Sequence, residues 1–417
     1  GWKMKKILVI TTGGTIAMKK DRETGGLMPA VSGKDLAAAV PGLAHYADVD
    51  VLEFSNKPSG WMTAADMFEL SKLIDRLADT DQADGFVITH GTDTLEETAF
   101  FLEAVLKTEK PVCVTGAMRG ASDLSADGPA NILAAVRTAA SGESIGKGVT
   151  VCLGDRIYAA WDVTKVHTTN PDTFRDLHYG SIGTVYGSRV EYGRIPVKHK
   201  KIHTDRIEED IWIITCWSGM DGGIVYGAEG KAAGLVIDGI GCGNVPPKCR
   251  KAVLYLREKG MPIVLTTRVP SGSVEEEYSY EGSALSMKDS GIILGGRLSS
   301  WKSKITFGIG NGKNKKYRRN QKLLLGDTGR IENHCGTRNP FSNQSWIENI
   351  KEAFHNNVKG ASCNYLFRKI DEITFLEKIL DRGKGFPYDM SYLLQQINAM
   401  NETKRSVVKF MQRAGGW

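Results

Sequence analysis

The stretch GFVITHGTDTLEETAFFL, residues 85–102, decides the fold. Phe86, Val87 and Ile88 form a short apolar run that reads as a buried parallel strand. Residues Thr89 to Thr94 make a polar turn, and Leu95 to Leu102 are apolar at helical spacing. Glu96 and Glu97 fall in the first turn of that helix, where carboxylates favour the helix dipole. A strand that ends in a tight turn before a helix lifts His90, Gly91, Thr92, Asp93 and Thr94 to the carboxyl edge of a sheet. Open α/β sheets bind ligands at that edge. Helix capping by Asp93 or Thr94 would account for one polar residue, not five in a row.

The same grammar recurs on both sides. Residues 5–17 read KILVITTGGTIAM, in which the strand Ile7–Ile10 empties into Thr11, Thr12, Gly13, Gly14 and Thr15. Two glycines after a strand let the backbone approach a neighbour closely. The spacing is neither GxGxxG nor GxxxxGK[ST], so no dinucleotide or P-loop site is read. A glycine-flanked threonine at a strand end is well placed for a nucleophile. Asp21 to Gly33 reads as a mobile loop, a candidate lid, and Lys34 to Val40 as a short helix. Val49–Phe54 is a strand and Thr63–Leu77 an amphipathic helix. The strand Pro111–Thr115 leads to Gly116, Ala117, Met118 and Arg119, and the helix Ala130–Ala140 is followed by a strand at Val149–Leu153. Alternation continues to about residue 190, which predicts a doubly wound parallel sheet. A polar, basic linker follows, and then a smaller α/β unit. It has strands at 211–215, 233–237 and 262–266, and a glycine-rich turn, GIGCGNVPP, that holds Asn244.

The length of 417 residues leaves room for two or three domains. No run of about 18 apolar residues suggests a membrane span. Residues 1–3 precede Met4 and read as a leader, and the apolar run after Lys6 is too short for a secretory signal. Seven cysteines without a CxxC pair fit reduced thiols of the cytoplasm and argue against a zinc site. The net charge of +6 hides an asymmetry: residues 1–300 carry −5 and residues 301–417 carry +11. A basic tail is one signature of nucleic-acid binding.

Taken together, the motifs resemble the bacterial L-asparaginase family, of the cytoplasmic type. The stretches that carry the resemblance are TTGGTIA at 11–17, GFVITHGTDTLEET at 85–98, TGAMR, SADGP, DVTK, the GNVPP turn and RVPSG at 268–272, in order and spacing across roughly residues 4–300. The resemblance implies an N-terminal domain at 4–190, a linker at 191–210, a C-terminal domain at 211–300 and an atypical tail at 301–417. It implies Thr15 as the acylated nucleophile, and Thr92, Asp93 and Lys165 as a second catalytic constellation. Ser59, Gly91, Thr92, Asp93 and Ala117 would bind substrate, with Asp93 holding the α-amino group and backbone N–H groups near Thr92 and Ala117 forming an oxyanion hole. Asn244 would reach the site of a neighbouring subunit in a dimer or homotetramer. The implied reaction is hydrolysis of L-asparagine to L-aspartate and ammonia through a threonine ester, without metal or organic cofactor. Glutaminase and amidotransferase-type amidase activity are the alternatives within the class, and an inactive product the alternative outside it. Neither membrane nor nucleic acid is an expected partner.

The chain departs from the family pattern in two places. No tyrosine lies between residues 18 and 45, where Gly26 and Leu27 stand in the lid; Tyr280 is a candidate substitute and Glu281 a candidate trans-acting acid. From Trp301 to Gln321 the sequence is Gly/Lys-rich and shows no helical periodicity. Read one base out of frame with permissible codons, it becomes GKAKLHLALAMAKTKNIEEI, an amphipathic helix. A base insertion near codon 301 is therefore expected, to be checked by sequencing the DNA. With it comes loss of the last native helix, exposed sheet surface and poor solubility or weak assembly.

Overall fold

The computed structural model describes residues 4–310 except 15, 17, 21–26, 30–39, 41 and 188. Strand β1 (Lys6–Thr11) is followed by β2 (Met18–Lys20) and β3 (Leu27–Pro29), which pair antiparallel; β3 falls in the segment 21–33 read as a lid loop. The helix expected at 34–40 lies almost wholly outside the described residues. Next come β4 (Asp48–Glu53) and helix α1 (Ala64–Asp79), whose N-cap Thr63 exchanges bonds with Asp66 in a capping box. Strand β5 (Gly85–Thr89), helix α2 (Leu95–Val105), β6 (Val112–Thr115), helix α3 (Gly128–Ala140) and β7 (Val149–Leu153) complete the alternation.

These strands lie in one sheet in which β4, β1, β5, β6 and β7 are neighbours and run parallel. Side chains alternate across it, and both faces are buried. Ile7, Val9, Val87 and Cys113 face one core with Ala135 and Val136 of α3. Ile10, Phe86, Ile88 and Val114 face another, with Leu70 and Ile74 of α1 and Leu95 and Leu102 of α2. That double burial is why the strands read as near-continuous apolar runs.

Beyond β7 the sheet turns antiparallel. Strand β8 (Arg156–Ala159) pairs with β7 through a tight turn at Gly154 and Asp155, both at positive φ. Two short strands, β9 (Val163–Lys165) and β10 (Phe174–Asp176), form a separate ribbon. Strands β11 (Gly183–Val185) and β12 (Val190–Tyr192) then finish the sheet, again antiparallel. The body is thus parallel-rich with an antiparallel edge, rather than parallel up to residue 190. The linker is pinned along α2: Ile202 N–H donates to the carbonyl of Ala104 at 2.8 Å, and Lys201 Nζ reaches Glu103 Oε1 at 2.8 Å.

The second sheet is wholly parallel. It contains β13 (Ile211–Thr215), β14 (Gly234–Gly239), β15 (Ile263–Thr267) and β16 (Ile293–Leu294) in that order. Helix α4 (Gly223–Tyr226) follows β13, α5 (Pro247–Glu258) links β14 to β15, and α6 (Ala284–Asp289) precedes β16. Helix α7 (Ser300–Gly310) covers the opposite face. Ile305, Phe307 and Ile309 of α7 are buried with Ile211, Val236 and Val264 of the sheet and Phe100 and Phe101 of α2.

Helix α7 corrects the reading of residues 301–310 as non-helical and the expectation that this sheet face is bare. Its inward side carries Ser300, Lys302, Ser303 and Thr306 beside its apolar residues, so an apolar count finds no stripe. Residues from 311 onward lie outside the described residues.

Candidate active site

Three turns meet at the carboxyl ends of the adjacent parallel strands β1, β5 and β6. The first turn is bound to the second through Thr12, whose backbone N–H and hydroxyl both donate to the carbonyl of Thr89, at 3.0 and 2.9 Å. Gly14 follows at φ +88°, and a Cβ there would lie 2.3 Å from the backbone of Gly91. The two glycines therefore touch, and the first turn is laid directly against the second. A Cβ on Gly91 would in turn lie 2.6 Å from Ser59 Oγ. Ser59 is buried, and its carbonyl accepts the Thr94 hydroxyl at 2.8 Å. The third turn is tied to β5 by the N–H of His90, which donates to Thr115. Ala117 sits just beyond and is wholly buried.

His90 is a strut in this arrangement. Its Nδ1 lies 2.8 Å from the carbonyl of Gly91, which can only accept, so Nδ1 carries the proton. Its Nε2, 2.8 Å away, then accepts the Thr98 hydroxyl. Burial lowers its pKa to about 4, so the ring is neutral at physiological pH.

Lys165 brings the polar groups together. It stands on β9, and its Nζ lies 3.0 Å from Thr92 Oγ1 and 2.7 Å from Asp93 Oδ1. The Thr92 hydroxyl is buried, whereas the Asp93 side chain is 78% exposed. One amine thus bridges an enclosed hydroxyl and a carboxylate open to solvent, an arrangement suited to passing a proton to or from the hydroxyl oxygen.

Behind this group lies a residue whose part in the site the sequence did not disclose. Glu96 is buried, and its Oε2 accepts the backbone N–H of Lys165 at 3.2 Å. Burial raises its pKa, while Lys302 and the Thr164 hydroxyl favour the charged form. Burial together with repulsion from Glu96 raises its neighbour Glu97 to about 7. The only sequence signal was position in the first helical turn, which points to the dipole and not to a partner 69 residues away.

Of the residues singled out from sequence, the structure gathers Ser59, Gly91, Thr92, Asp93 and Lys165, with Ala117 on the adjoining turn. Thr15 follows Gly14 but lies outside the described residues. Asn244 is elsewhere, in the turn after β14, where it pairs through its backbone with Ile240. Its Oδ1 is buried without a hydrogen-bond partner. Tyr280 is exposed and stacked on Tyr278, and Glu281 lies 3.9 Å from Arg250. Neither joins the Thr92 group. A cavity of about 470 Å³ borders the site through Lys165, with Asp162, Arg268, Arg297 and Lys302 among its lining, but it does not include Thr92, Asp93 or Ser59. Among the described residues no group of three or more His, Cys, Asp or Glu is arranged to hold a metal, and no helix is long and apolar enough to cross a membrane.

Comparison with known proteins agrees with this geometry. Residues 6–198 match the family model "Asparaginase, N-terminal", and residues 210–324 match "Glutaminase/Asparaginase C-terminal domain". The L-asparaginase of Bacillus licheniformis is 35% identical over 307 residues, 73% of this chain and 95% of that protein. A probable L-asparaginase of Deinococcus radiodurans is 36% identical over 306 residues, 72% of this chain and 91% of that protein. The crystal structure of a probable cytoplasmic L-asparaginase from Campylobacter jejuni superposes with a TM-score of 0.69 at 30% identity, covering 77% of this chain and 99% of that one.

Proposed function

This chain belongs to the asparaginase family, and on that premise we propose that it hydrolyses the side-chain amide of L-asparagine through an ester on Thr15. The observation that carries the proposal is the Lys165 amine held between Thr92 Oγ1 and Asp93, next to the contact that lays Gly14 on Gly91. In this reading the Thr15 hydroxyl oxygen attacks the amide carbon. Its proton is transferred to the departing nitrogen, the C–N bond breaks and ammonia leaves. Water then attacks the ester and releases L-aspartate and free Thr15. Lys165 and Thr92 handle the proton of the hydrolytic water, Asp93 and Ser59 hold the substrate, and backbone N–H groups at Thr92 and Ala117 face the oxyanion.

On the family resemblance, the Asn244 turn is read as meeting a second subunit in a homo-oligomer. The free thiols of Cys113, Cys152, Cys216, Cys242 and Cys249 support a reducing, cytoplasmic setting. Because the C-terminal family model also covers glutaminases, L-glutamine is the second substrate to assay.

Thr15→Ala is expected to lower kcat for L-asparagine by about 10³-fold or more. Acid quenching of the parent protein in turnover is expected to place an aspartyl ester on the peptide that contains Thr15. An ester on Thr92, or a Thr15→Ala variant within tenfold of parent, overturns the assignment.

A further inference from the structure

Strand β9 needs outside support. It is three residues long and, among the described residues, pairs only with β10, in a two-stranded ribbon that joins neither large sheet. Isolated ribbons of that size are marginal in water. Yet β9 has to present the Lys165 amine to Thr92 and Asp93 within a few tenths of an ångström.

Lys302, on the first turn of α7, supplies that support. It is buried, with 4% of its surface exposed. Its Nζ donates to the carbonyl of Trp161 at 2.8 Å and to that of Val163 at 2.7 Å. Val163 is the first residue of β9, two positions before Lys165. From the other side, Glu96 of α2 receives the backbone N–H of Lys165. The Lys302 charge is set among the carboxylates of Glu96, Asp162 and Asp176, while burial lowers its pKa. It also lies 5.7 Å from the centre of the Phe100 ring. A buried ammonium is costly, and replacing such a group by an apolar side chain of similar volume often leaves stability unchanged or improved. Space filling would be served as well by methionine.

We propose that Lys302 is a positioning residue: through the carbonyls of Trp161 and Val163 it fixes β9 so that the Lys165 amine stays on Thr92 and Asp93. This rests on the reading that Lys165 acts in the reaction. It gives the last described helix a task in the site, although no residue of that helix touches Thr92 or Asp93.

The test compares the full chain with Lys302→Met, Lys302→Gln and Lys165→Met, measuring kcat and KM for L-asparagine and following thermal unfolding by circular dichroism. Displacement of a reacting group by about 1 Å costs on the order of 100-fold, so folded Lys302→Met is expected to lose about 100-fold in kcat. KM is expected to stay within about threefold, because Ser59 and Asp93 stay in place. Lys302→Gln keeps one donor and is expected to lose about tenfold, between the two limits; it decides the matter if Lys302→Met does not fold. Folded protein with kcat within threefold of parent overturns the proposal, as does a rise in KM with kcat unchanged. If Lys165→Met itself retains parental kcat, the underlying reading fails, whatever the Lys302 variants do.

Discussion

Lys165→Met is expected to lower kcat for L-asparagine by about 10²–10⁴-fold, the range that a positioned proton-transfer group contributes. Methionine keeps most of the stem's volume and removes only the amine. The pair that the amine makes with Asp93 opens to solvent on the carboxylate side, and such pairs contribute little to stability. The variant should therefore fold, and the loss should read on chemistry. The 3.0 Å contact to Thr92 Oγ1 is the interaction removed. Ammonia release under saturating substrate checks the prediction; kcat within tenfold of parent would mean that the amine is a bystander.

Phe307→Ala is expected to destabilise the protein by about 3–5 kcal/mol, the usual cost of emptying a buried phenylalanine site. Phe307 is fully buried in α7, and its ring lies where a Cβ on Gly234 of β14 would come within 2.1 Å. Glycine at 234 is what allows the ring to come so close to the strand. The surrounding cluster joins the second sheet to Phe100, Phe101 and Ala104 of α2, so the cavity opens between that sheet and α2. Urea unfolding at unchanged m-value measures the loss. A change below about 1 kcal/mol would contradict the packing of α7 described above.

The outcome at Phe307 bears on what could be read from the chain. The strand–turn–helix of residues 85–102 was legible because a strand buried on both faces and a helix with one apolar face leave different periods. The antiparallel edge was not, since β8, β11 and β12 are three or four residues long, too short to show alternation. Helix α7 escaped because its buried side includes lysine, two serines and a threonine, and because Gly308 breaks the apolar count. That glycine has a reason: a Cβ there would lie 2.5 Å from the carbonyl oxygen of Glu208, where the linker crosses the helix.

The site followed the same division. Gly14, Gly91 and the His90–Thr94 turn could be placed at a sheet edge from local pattern alone. That Lys165 reaches Thr92 across 73 residues could not, because nothing in a VTK tripeptide distinguishes it from a surface lysine; only the family resemblance pointed there. Glu96 showed only its place in the first helical turn, and Lys302 carried no signal. Their roles depend on partners that folding brings together from α2, β9 and α7.

The measurement that bears most directly on the central claim is ammonia and L-aspartate release from L-asparagine by the 417-residue chain. The account predicts that the two products appear in equal amounts and that both vanish with Thr15→Ala. No ammonia from either L-asparagine or L-glutamine, from a protein shown to be folded, would contradict it.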